Sequence, residues 1–504
     1  MKTKIKMLSM LLIGSMLLLS ACSSNNNSSD AGATSDSSES SEPAGKPTEL
    51  TVAFPIFSAQ PKDMTLIEDA LNKITIEKIN VKVKLMPISF SNWMQQTNLM
   101  FSSGEKLDLM PTISNYNQAV VQGQLIPLDE LLEKHGQGIT SALDPAFLDA
   151  ARVKGTIYGV PTLHEMASVN GITMKKEIVE KYQIDTSKLQ TIEDLEDVLK
   201  TVKAGEPNMA PLLPSTIGAS ILNDYKTFDE LSNFLGVLPS FDNDLKVVNH
   251  FETEEYAEQL KLMRKWYEEG LILQDASTNQ TNPLDLVKSN RGFAFLLSAH
   301  PAALSEGAAG GVPMKTVAFS QPAVSTTSQI TNTMWGITVN SKAPEKAMEF
   351  LNLMYSDKDI ANVLIWGIEG KHYVVQSGNV IDFPEGVDAS NSGYYLNAGW
   401  LFGNQFLSYV WNGTDPDLWE KVKAFNASAT KSKALGFTFD PTPVKTEAAA
   451  IGNVITQYRL PLETGSVDPD KVLPKFIENL KAAGIDKVIA EKQKQLDEWT
   501  KAKQ

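Results

Sequence analysis

Apolar and polar residues follow two different periods along the chain after residue 48. Every second residue is apolar from Glu49 to Phe54 and again from Val81 to Leu85, which is the period of a half-buried strand. Leu66 to Ile74 repeats at helical spacing instead, Trp93 to Phe101 is a second predicted helix, and Leu107 to Met110 is a third predicted strand. This β-α-β-α-β order predicts an α/β fold, in which helices cover a largely parallel sheet.

Ligands of such sheets bind outside the carboxyl ends of the strands. That rule places two segments at the candidate site, Phe54–Gln60 after the first strand and Asp108–Ser114 at the third. Phe57 is the aromatic residue within the first segment. We therefore include Phe57 among the candidate ligand-binding residues.

A later stretch combines a strand, a helix and an aromatic turn. Trp335 lies in the predicted strand, Pro344 suits the first turn of the following helix, and residues 347–354 supply one apolar helix face. Residues 365–373 then read IWGIEGKHY, a run of aromatic and charged residues with two glycines. Such a turn suits a cleft better than a core, so Glu369 is a further candidate for ligand binding. Trp335, in the strand of the same stretch, is included as another candidate.

The segment 391–411 is the most aromatic part of the chain and also carries several amides. Aromatic rings stack on the C–H faces of sugars, and amides bond to their hydroxyl groups. Trp400 and Asn404 are the strongest candidates within it, although many of these rings are expected in the core. By contrast, the aromatic stripe of Tyr256, Leu260, Met263 and Tyr267 at helical spacing predicts a core helix.

The N-terminus is typical of an exported lipoprotein. Three lysines precede the apolar segment Met7–Leu19, which is too short to span a bilayer but suits a signal peptide. Residues 19–22 read LSAC and resemble a bacterial lipobox, which predicts a signal peptide at 1–21 and a lipid on Cys22. An ordinary secretory signal is the alternative. Residues 22–47 lack large apolar side chains and are predicted to form a flexible tether.

Composition excludes several functions. The formal net charge is −15, and removal of three lysines with the signal peptide makes it about −18, which argues against a nucleic-acid partner. Cys22 is the only cysteine, so no disulfide forms within one chain. The five histidines are far apart and show no metal-ligand spacing, and no hydrolase motif such as G-x-S-x-G or HExxH is present. The sequence thus predicts no metal site and no cofactor.

Several separated motifs resemble the family 1 extracellular solute-binding lipoproteins of bacterial ABC importers, in the subgroup linked to complex carbohydrates. They are SGEKLDL at 103–109, QGQLIPLDELL at 122–132, YGVP at 158–161, the helix and WGIEGKHYVV run of 341–375, and WLFGNQF at 400–406. The resemblance covers nearly all of the mature chain.

This resemblance implies a two-lobed fold of the type II periplasmic-binding-protein class. It implies a hinge of three crossovers and a C-terminal helical extension. The expected lobe 1 comprises residues 48–161 and 319–342, and the expected lobe 2 comprises 162–318 and 343–504. The crossovers are expected after Pro161, near 319, and at Ser341–Pro344.

The resemblance also suggests roles for individual residues. Asp108, in the SGExxD-like motif, is implied at or near the cleft, with a turn carboxylate as the alternative. Trp93 is either a stacking or a core residue. His164 and Glu165 follow the first crossover, where they either meet the ligand or simply face water.

The function implied is capture of a saccharide between the lobes and delivery to an ABC permease, by a monomer anchored on the extracellular face of the membrane. No catalytic residue is then required. A ligand-sensing receptor subunit would use the same fold. A surface glycoside hydrolase is the third alternative, since two of many carboxylates can pair, but a catalytic pair is not recognisable from sequence.

Overall fold

The computed structural model describes residues 45–231, 233–304, 308–309 and 312–503. The predicted signal peptide, Cys22 and most of the predicted tether lie outside these residues. Within the described part of the chain, no helix has the length and apolar character needed to cross a membrane.

A five-stranded sheet forms the centre of lobe 1, in the order β2-β1-β3-β13-β6. The strands are β1 Thr48–Ile56, β2 Val81–Ser89, β3 Leu109–Ile113, β6 Val160–Pro161 and β13 Thr333–Ile337. β1 pairs in parallel with β2 and β3, whereas β13 is antiparallel to β3 and β6. The predicted β-α-β-α-β order is confirmed, with α1 at Met64–Ile79 and α2 at Trp93–Ser103. β1 is buried over most of its length because it is a central strand of the sheet.

A second five-stranded sheet forms the centre of lobe 2, in the order β10-β11-β7-β9-β8. Its strands are β7 Val169–Lys175, β8 Ala210–Leu213, β9 Gly292–Ala299, β10 Ala308–Ala309 and β11 Val312–Ala318. β9 and β11 run antiparallel to β7, and β8 runs parallel to β9. The predicted core helix is α9, Glu254–Glu268. Its residues Tyr256, Leu260 and Met263 are buried, as predicted.

The predicted boundary between the lobes at residue 343 differs from the packing. Helices α13 Pro344–Ser356 and α14 Lys358–Ile365 bury Phe350, Leu351 and Ile360 in the same core as Phe54, on the lobe 1 sheet. An amphipathic helix shows in its sequence that one face is buried, but not which sheet covers it. The segment from 343 to about 411 thus belongs to lobe 1, rather than to lobe 2 as expected.

The C-terminal helices form a layer with a core of its own. They are α16 Lys445–Glu463, α17 Pro469–Ala482 and α18 Ile485–Lys503. Phe476, Leu480 and Leu496 pack there against Tyr256 and Leu260 of α9, whose next turns, Met263 and Trp266, belong to the lobe 2 core. One helix thereby joins the lobe 2 sheet to the C-terminal layer.

Three chain segments cross between the lobes side by side. The first lies between β6 and β7, and the second lies between β11 and β13. Ser168 and Val324 exchange backbone hydrogen bonds there. The third passes through β17, Thr430–Lys431, which pairs in parallel with β12, Val324–Ser325. The third crossover was expected at Ser341–Pro344, but the chain stays in lobe 1 at that point because α13 packs on the lobe 1 sheet.

The remaining helices and strands complete the two lobes. They are α3 Tyr116–Val121, α4 Asp129–His135, α5 Gln137–Ala142, α6 Pro145–Ala150, β4 Arg152–Val153, β5 Thr156–Ile157, α7 Lys176–Lys181, α8 Leu195–Gly205, α10 Pro283–Lys288, α11 Pro301–Leu304, α12 Thr327–Ile330, β14 Val374–Ser377, β15 Val380–Asp382, β16 Val410–Trp411 and α15 Leu418–Ser428.

Candidate functional site

A cavity of about 610 Å³ lies between the two lobes, against the crossing segments. Its walls come from residues 164–170 and 321–332 of the crossovers, the end of β9, the lobe 2 loop at 226–241, and Trp400 from lobe 1. This volume falls in the range of about 300–1,000 Å³ that is usual for small-molecule sites. Three of the predicted residues, His164, Glu165 and Trp400, line it.

Glu165 lies between two histidines at one side of the cavity. Its Oε2 is 3.6 Å from His164 Nδ1, and its Oε1 is 3.5 Å from His300 Nδ1, at the end of β9. Burial alone would raise the pKa of Glu165, but the two histidines outweigh it and hold the pKa well below its ordinary value. Glu165 is therefore a carboxylate at neutral pH, which makes it a hydrogen-bond acceptor and a poor proton donor.

A second ion pair lies on the lobe 2 wall. Lys226 Nζ donates to Glu230 Oε2 at 2.6 Å, and both residues line the cavity. The side chain of Asn170, on β7, fixes the backbone of Lys226, since it donates to the carbonyl oxygen at 2.8 Å and accepts from the N–H at 2.9 Å. The charged groups of this wall are thus paired with one another.

Two buried polar atoms at the cavity have no hydrogen-bond partner among the described residues. They are Ser328 Oγ, in α12, and His300 Nδ1. The His300–Glu165 distance of 3.5 Å marks an ion pair too long for a good hydrogen bond. Buried polar atoms are almost always satisfied in folded proteins, so these two are suited to contact a bound molecule.

An exposed aromatic group extends the site along lobe 1. The ring of Phe57, just after β1, lies 4.9 Å from that of Phe90, just after β2, and 5.6 Å from that of Trp400. Phe57 is 50% exposed and Phe90 is 48% exposed. We call these three residues the aromatic shelf. It lies at the carboxyl ends of two parallel strands, where ligands of such sheets bind.

Two other predicted residues lie in the lobe 1 core. Asp108 is fully buried, and its carboxylate accepts from Thr51 N at 2.8 Å and from Ser341 Oγ at 2.6 Å. Asp108 directly precedes β3, which begins at Leu109, so it lies at the amino end of the strand and not at the carboxyl end where ligands bind. The expectation that Asp108 lies near the cleft is therefore wrong. Trp93 is 3% exposed and packs in the core with Met110. Of its two predicted roles, stacking on a ligand or packing in the core, the structure shows the second.

Trp335, Asn404 and Glu369 do not line the cavity either. Trp335 is fully buried and donates through Nε1 to Leu401 O at 2.7 Å. Asn404 is nearly buried, donates to Tyr355 O at 3.2 Å and accepts from the N–H of Phe406 at 3.0 Å. Glu369 is exposed in its turn and does not line the cavity. These three side chains therefore cannot contact a ligand bound in this cavity.

Several residues of the cavity and the shelf were not predicted from the sequence. Phe90 follows a predicted strand, so the rule that selected Phe57 would also have found it. No sequence signal marks the others, because Phe228 and Phe241 lie in an irregular loop and His300 is separated from Glu165 by most of lobe 2. Within the described residues, no three His, Cys, Asp or Glu side chains are arranged to hold a metal ion.

Two family profiles match the chain. The family described as bacterial extracellular solute-binding protein matches residues 61–361. A domain of unknown function, DUF3502, matches residues 433–501, which include α16, α17 and nearly all of α18 in the C-terminal layer.

A carbohydrate ABC transporter substrate-binding protein of Streptococcus pneumoniae is 32% identical over 481 residues, which make up 93% of this chain and 94% of that protein. The chain belongs to the bacterial extracellular solute-binding proteins. Lipoprotein LipO of Bacillus subtilis is a more distant relative of this solute-binding protein, 24% identical over 48% of each chain.

A crystal structure of the N-glycan transport solute-binding protein of Streptococcus pneumoniae is similar to this solute-binding protein, with 29% identity and a TM-score of 0.81. The similarity covers 91% of this chain and 100% of that one. The TM-score is 0.71 for that protein in complex with Man5GlcNAc and 0.73 in complex with Man1GlcNAc. These structures confirm the predicted two-lobed fold.

Proposed function

We propose that this solute-binding protein captures a neutral oligosaccharide in the cavity between its lobes and delivers it to the permease of an ABC importer. The observation that carries this proposal is the cavity itself, where Trp400 faces polar groups on the crossovers. A sugar offers C–H faces to a ring and hydroxyl groups to polar atoms such as Ser328 Oγ. The saccharides bound by the pneumococcal relative support the same substrate class.

The pairing of charges in the cavity favours a neutral ligand. Glu230 is paired with Lys226, and the carboxylate of Glu165 lies within 3.6 Å of a ring nitrogen of His164 and of His300. An acidic sugar would need a positive counter-charge, but the charge of Lys226 is already paired with Glu230, and an unpaired charge in a closed cleft is costly. Neutral hydroxyl groups can bond to the same carboxylates without breaking either pair.

Closure of the lobes is part of the proposed mechanism. The three crossovers lie side by side, so a few backbone rotations there suffice to bend the molecule. The TM-score to the pneumococcal relative is 0.81 for one structure and only 0.71 and 0.73 for its two saccharide complexes. Such a difference is expected if the lobes move relative to one another. A ligand drives such closure only if it binds the closed form more tightly.

A thermal-shift screen with purified protein from Ser23 onward tests the ligand class. A neutral oligosaccharide is expected to raise the unfolding midpoint, with a stabilisation of about 2.7 kcal/mol at 100 times its Kd. Chromatography after incubation is expected to recover the sugar intact, because Glu165 is a poor acid. Stabilisation only by sugar acids or peptides would refute the neutral-saccharide assignment, and cleavage of the sugar would indicate an enzyme.

We further propose that a lipid on Cys22 holds the protein, as a monomer, on the extracellular face of the membrane. The lipobox-like LSAC sequence supports this, as does the similarity to a lipoprotein of Bacillus subtilis. Cys22→Ala is expected to move the protein from the membrane fraction to the culture medium. A Cys22→Ala protein that stays in the membrane fraction would contradict the lipid anchor.

A further inference from the structure

The lobe 2 wall of the cavity is a long segment without regular structure. Residues 214–249 connect β8 to α9, and the described part of this segment contains isolated β-bridges but no helix or strand. We call it the pocket loop, because Lys226, Phe228, Glu230 and Phe241 line the cavity. Irregular segments longer than about 12–15 residues are uncommon in compact domains and are usually functional. Among the described residues, eight backbone hydrogen bonds join parts of the pocket loop to one another, fewer than a helix or sheet of this length would form.

Two polar side chains of α18, one fully buried and one half-buried, hold the pocket loop. Lys492 is fully buried, and its Nζ donates to Asn233 Oδ1 at 2.8 Å and to Gly236 O at 2.9 Å, with a longer contact to Leu231 O at 3.4 Å. Gln493, the next residue, accepts from the N–H of Val247 at 2.7 Å and donates to Leu245 O at 3.0 Å. Two consecutive residues of one helix thus hold both arms of the pocket loop.

Gly236 marks the closest approach of the pocket loop to α18. Its φ of +99° lies in a region that side chains disfavour, and a Cβ there would come within 2.8 Å of Val247 and 3.1 Å of Ile489 on α18. The loop therefore follows the surface of the helix closely at this point.

A buried polar cluster holds the start of the loop. Glu463, at the end of α16, accepts from Arg459 Nε at 2.8 Å, from the hydroxyl of Tyr256 at 3.2 Å and from the hydroxyl of Ser220. The guanidinium carbon of Arg459 lies 4.1 Å from the ring centre of Phe234, within the loop. Helices α16 and α18 therefore contact the loop at separate points.

The third crossover provides the last contact. Ser432, next to β17, donates its hydroxyl to buried Asp229. Asp229 lies between Phe228 and Glu230, two residues of the cavity wall. The cavity wall is thus attached directly to the segment that joins the C-terminal layer to lobe 1.

From these contacts we propose that the C-terminal layer, which matches a domain of unknown function, positions the pocket loop and so gives the lobe 2 wall of the ligand site its shape. This inference rests on the proposed function, in that the cavity is taken as the ligand site. Residues of α16 and α18 are positioning residues in this account, since they touch the loop and not the cavity. The layer would move with lobe 2 as one body during closure.

Lys492→Met in the full chain tests the proposal. Methionine fills a similar volume but leaves the loop carbonyls without a donor. Hydrogen exchange of the ligand-free protein is expected to speed up about 10-fold at the bridged amides of Val237, Leu238 and Val248, and affinity for the saccharide found in the thermal-shift screen is expected to fall about 10-fold. The control is Lys475→Met, the same change at an exposed position on α17, which is expected to leave both quantities unchanged.

Gln493→Leu is the second variant, and it is expected to speed exchange at Val247 and its neighbours. The proposal would be overturned if, in both variants, the hydrogen-exchange rates of the pocket loop and the affinity for the saccharide equalled those of the control. Global unfolding, measured separately by its thermal midpoint, distinguishes a displaced loop from an unfolded protein. If Trp400→Ala kept full affinity, the cavity would fail as the ligand site, while exchange of the ligand-free loop would still decide whether the C-terminal layer positions it.

Discussion

The two walls of the interlobe cavity are constructed in different ways. The lobe 1 side extends into the aromatic shelf, which follows the ends of β1 and β2, so regular sheet hydrogen bonds fix its position. The lobe 2 wall is the pocket loop, which depends on side chains from helices more than 200 residues further along the chain. Phe57 and Phe90 are positioned by the strands that directly precede them, whereas Trp400 and the pocket loop depend on contacts between distant parts of the chain.

This difference has consequences for stability and for binding. Changes in the shelf are expected to remove contacts to the ligand without disturbing the sheet beneath it. Changes behind the pocket loop alter buried polar groups, so they affect both folding and the shape of the site. Four measurements, ordered by expected effect, test this contrast.

The largest effect is expected from the pH dependence of Lys492. Burial lowers the pKa of Lys492 to about 7, with Asp229 and Glu230 opposing the shift. Between pH 7 and 10.5 the unfolded chain then binds a proton that the folded chain does not, so stability rises with pH in this window. Relative to Lys492→Met, the free energy of unfolding of the wild type is expected to rise by at most about 5 kcal/mol between pH 7 and 10.5. The rise is smaller to the extent that the carbonyl acceptors stabilise the charged form of Lys492.

Urea denaturation of both proteins at several pH values from 7 to 10 measures this gain. The comparison with Lys492→Met cancels the titration of the other groups. A stability difference that stays constant with pH would mean that Lys492 carries its charge in the fold, and that the loop is not held by a costly buried group.

The next effect is expected at His250, which lies behind the pocket loop. Its ring is 4.0 Å from that of Phe228, and burial, with the positive charges of Arg459 and Lys226, lowers its pKa to about 3. Below pH 6.5 the unfolded chain binds a proton that the folded chain excludes until about pH 3. Stability is therefore expected to fall by about 1.4 kcal/mol per pH unit from pH 6 to 4, relative to His250→Phe.

Chemical denaturation between pH 4 and 7 provides the measurement. His250→Phe keeps an aromatic ring in the cluster but cannot titrate, so it serves as the reference. Parallel curves for the two proteins would show that His250 does not contribute to acid sensitivity.

For lobe 1, Trp400→Ala is expected to weaken saccharide binding about 30-fold, since a central aromatic residue typically contributes about 2 kcal/mol. Trp400→Phe is expected to retain most of the affinity, because a ring remains beside Phe57. Isothermal titration calorimetry measures both variants. Leu99→Ala, at an exposed apolar position of lobe 1 that does not line the cavity, is the matched control. If Trp400→Ala bound the saccharide as tightly as this control, Trp400 would not be part of the ligand site.

The smallest effect is expected from Phe57→Ala and Phe90→Ala. Each is expected to weaken binding of a long oligosaccharide about 3-fold, because an exposed ring contributes about 0.5–1.5 kcal/mol by stacking. A disaccharide held within the cavity is expected to bind normally. Both side chains are half exposed, so the unfolding midpoint is expected to stay unchanged. Equal losses for short and long sugars would mean that the shelf is not an extension of the site.

Residues placed by a neighbouring strand were predictable from the sequence, whereas residues placed by tertiary packing were not. Phe57 was selected from the strand that precedes it, and it lies in the shelf. Asp108 was assigned to the wrong end of β3, because a motif identifies a residue type but not the point where a strand begins. Trp335 and Asn404 have side-chain chemistry suited to sugars, but burial in lobe 1 keeps them from the cavity. The position of the third crossover was missed because the apolar face of α13 fits either sheet.

The sequence by itself determined the order of strands and helices in lobe 1, the family and the general class of function, since these depend on local periodicity and on short motifs. Only the tertiary structure decided which lobe each later helix covers, where the third crossover runs, and which side chains meet in the cavity. Glu165 and His300 meet because β9 returns beside β7, and the pocket loop takes its path because Lys492 and Glu463 reach it from the C-terminal layer. Contacts of this kind join residues far apart in the chain, and the packing of helices and sheets creates them.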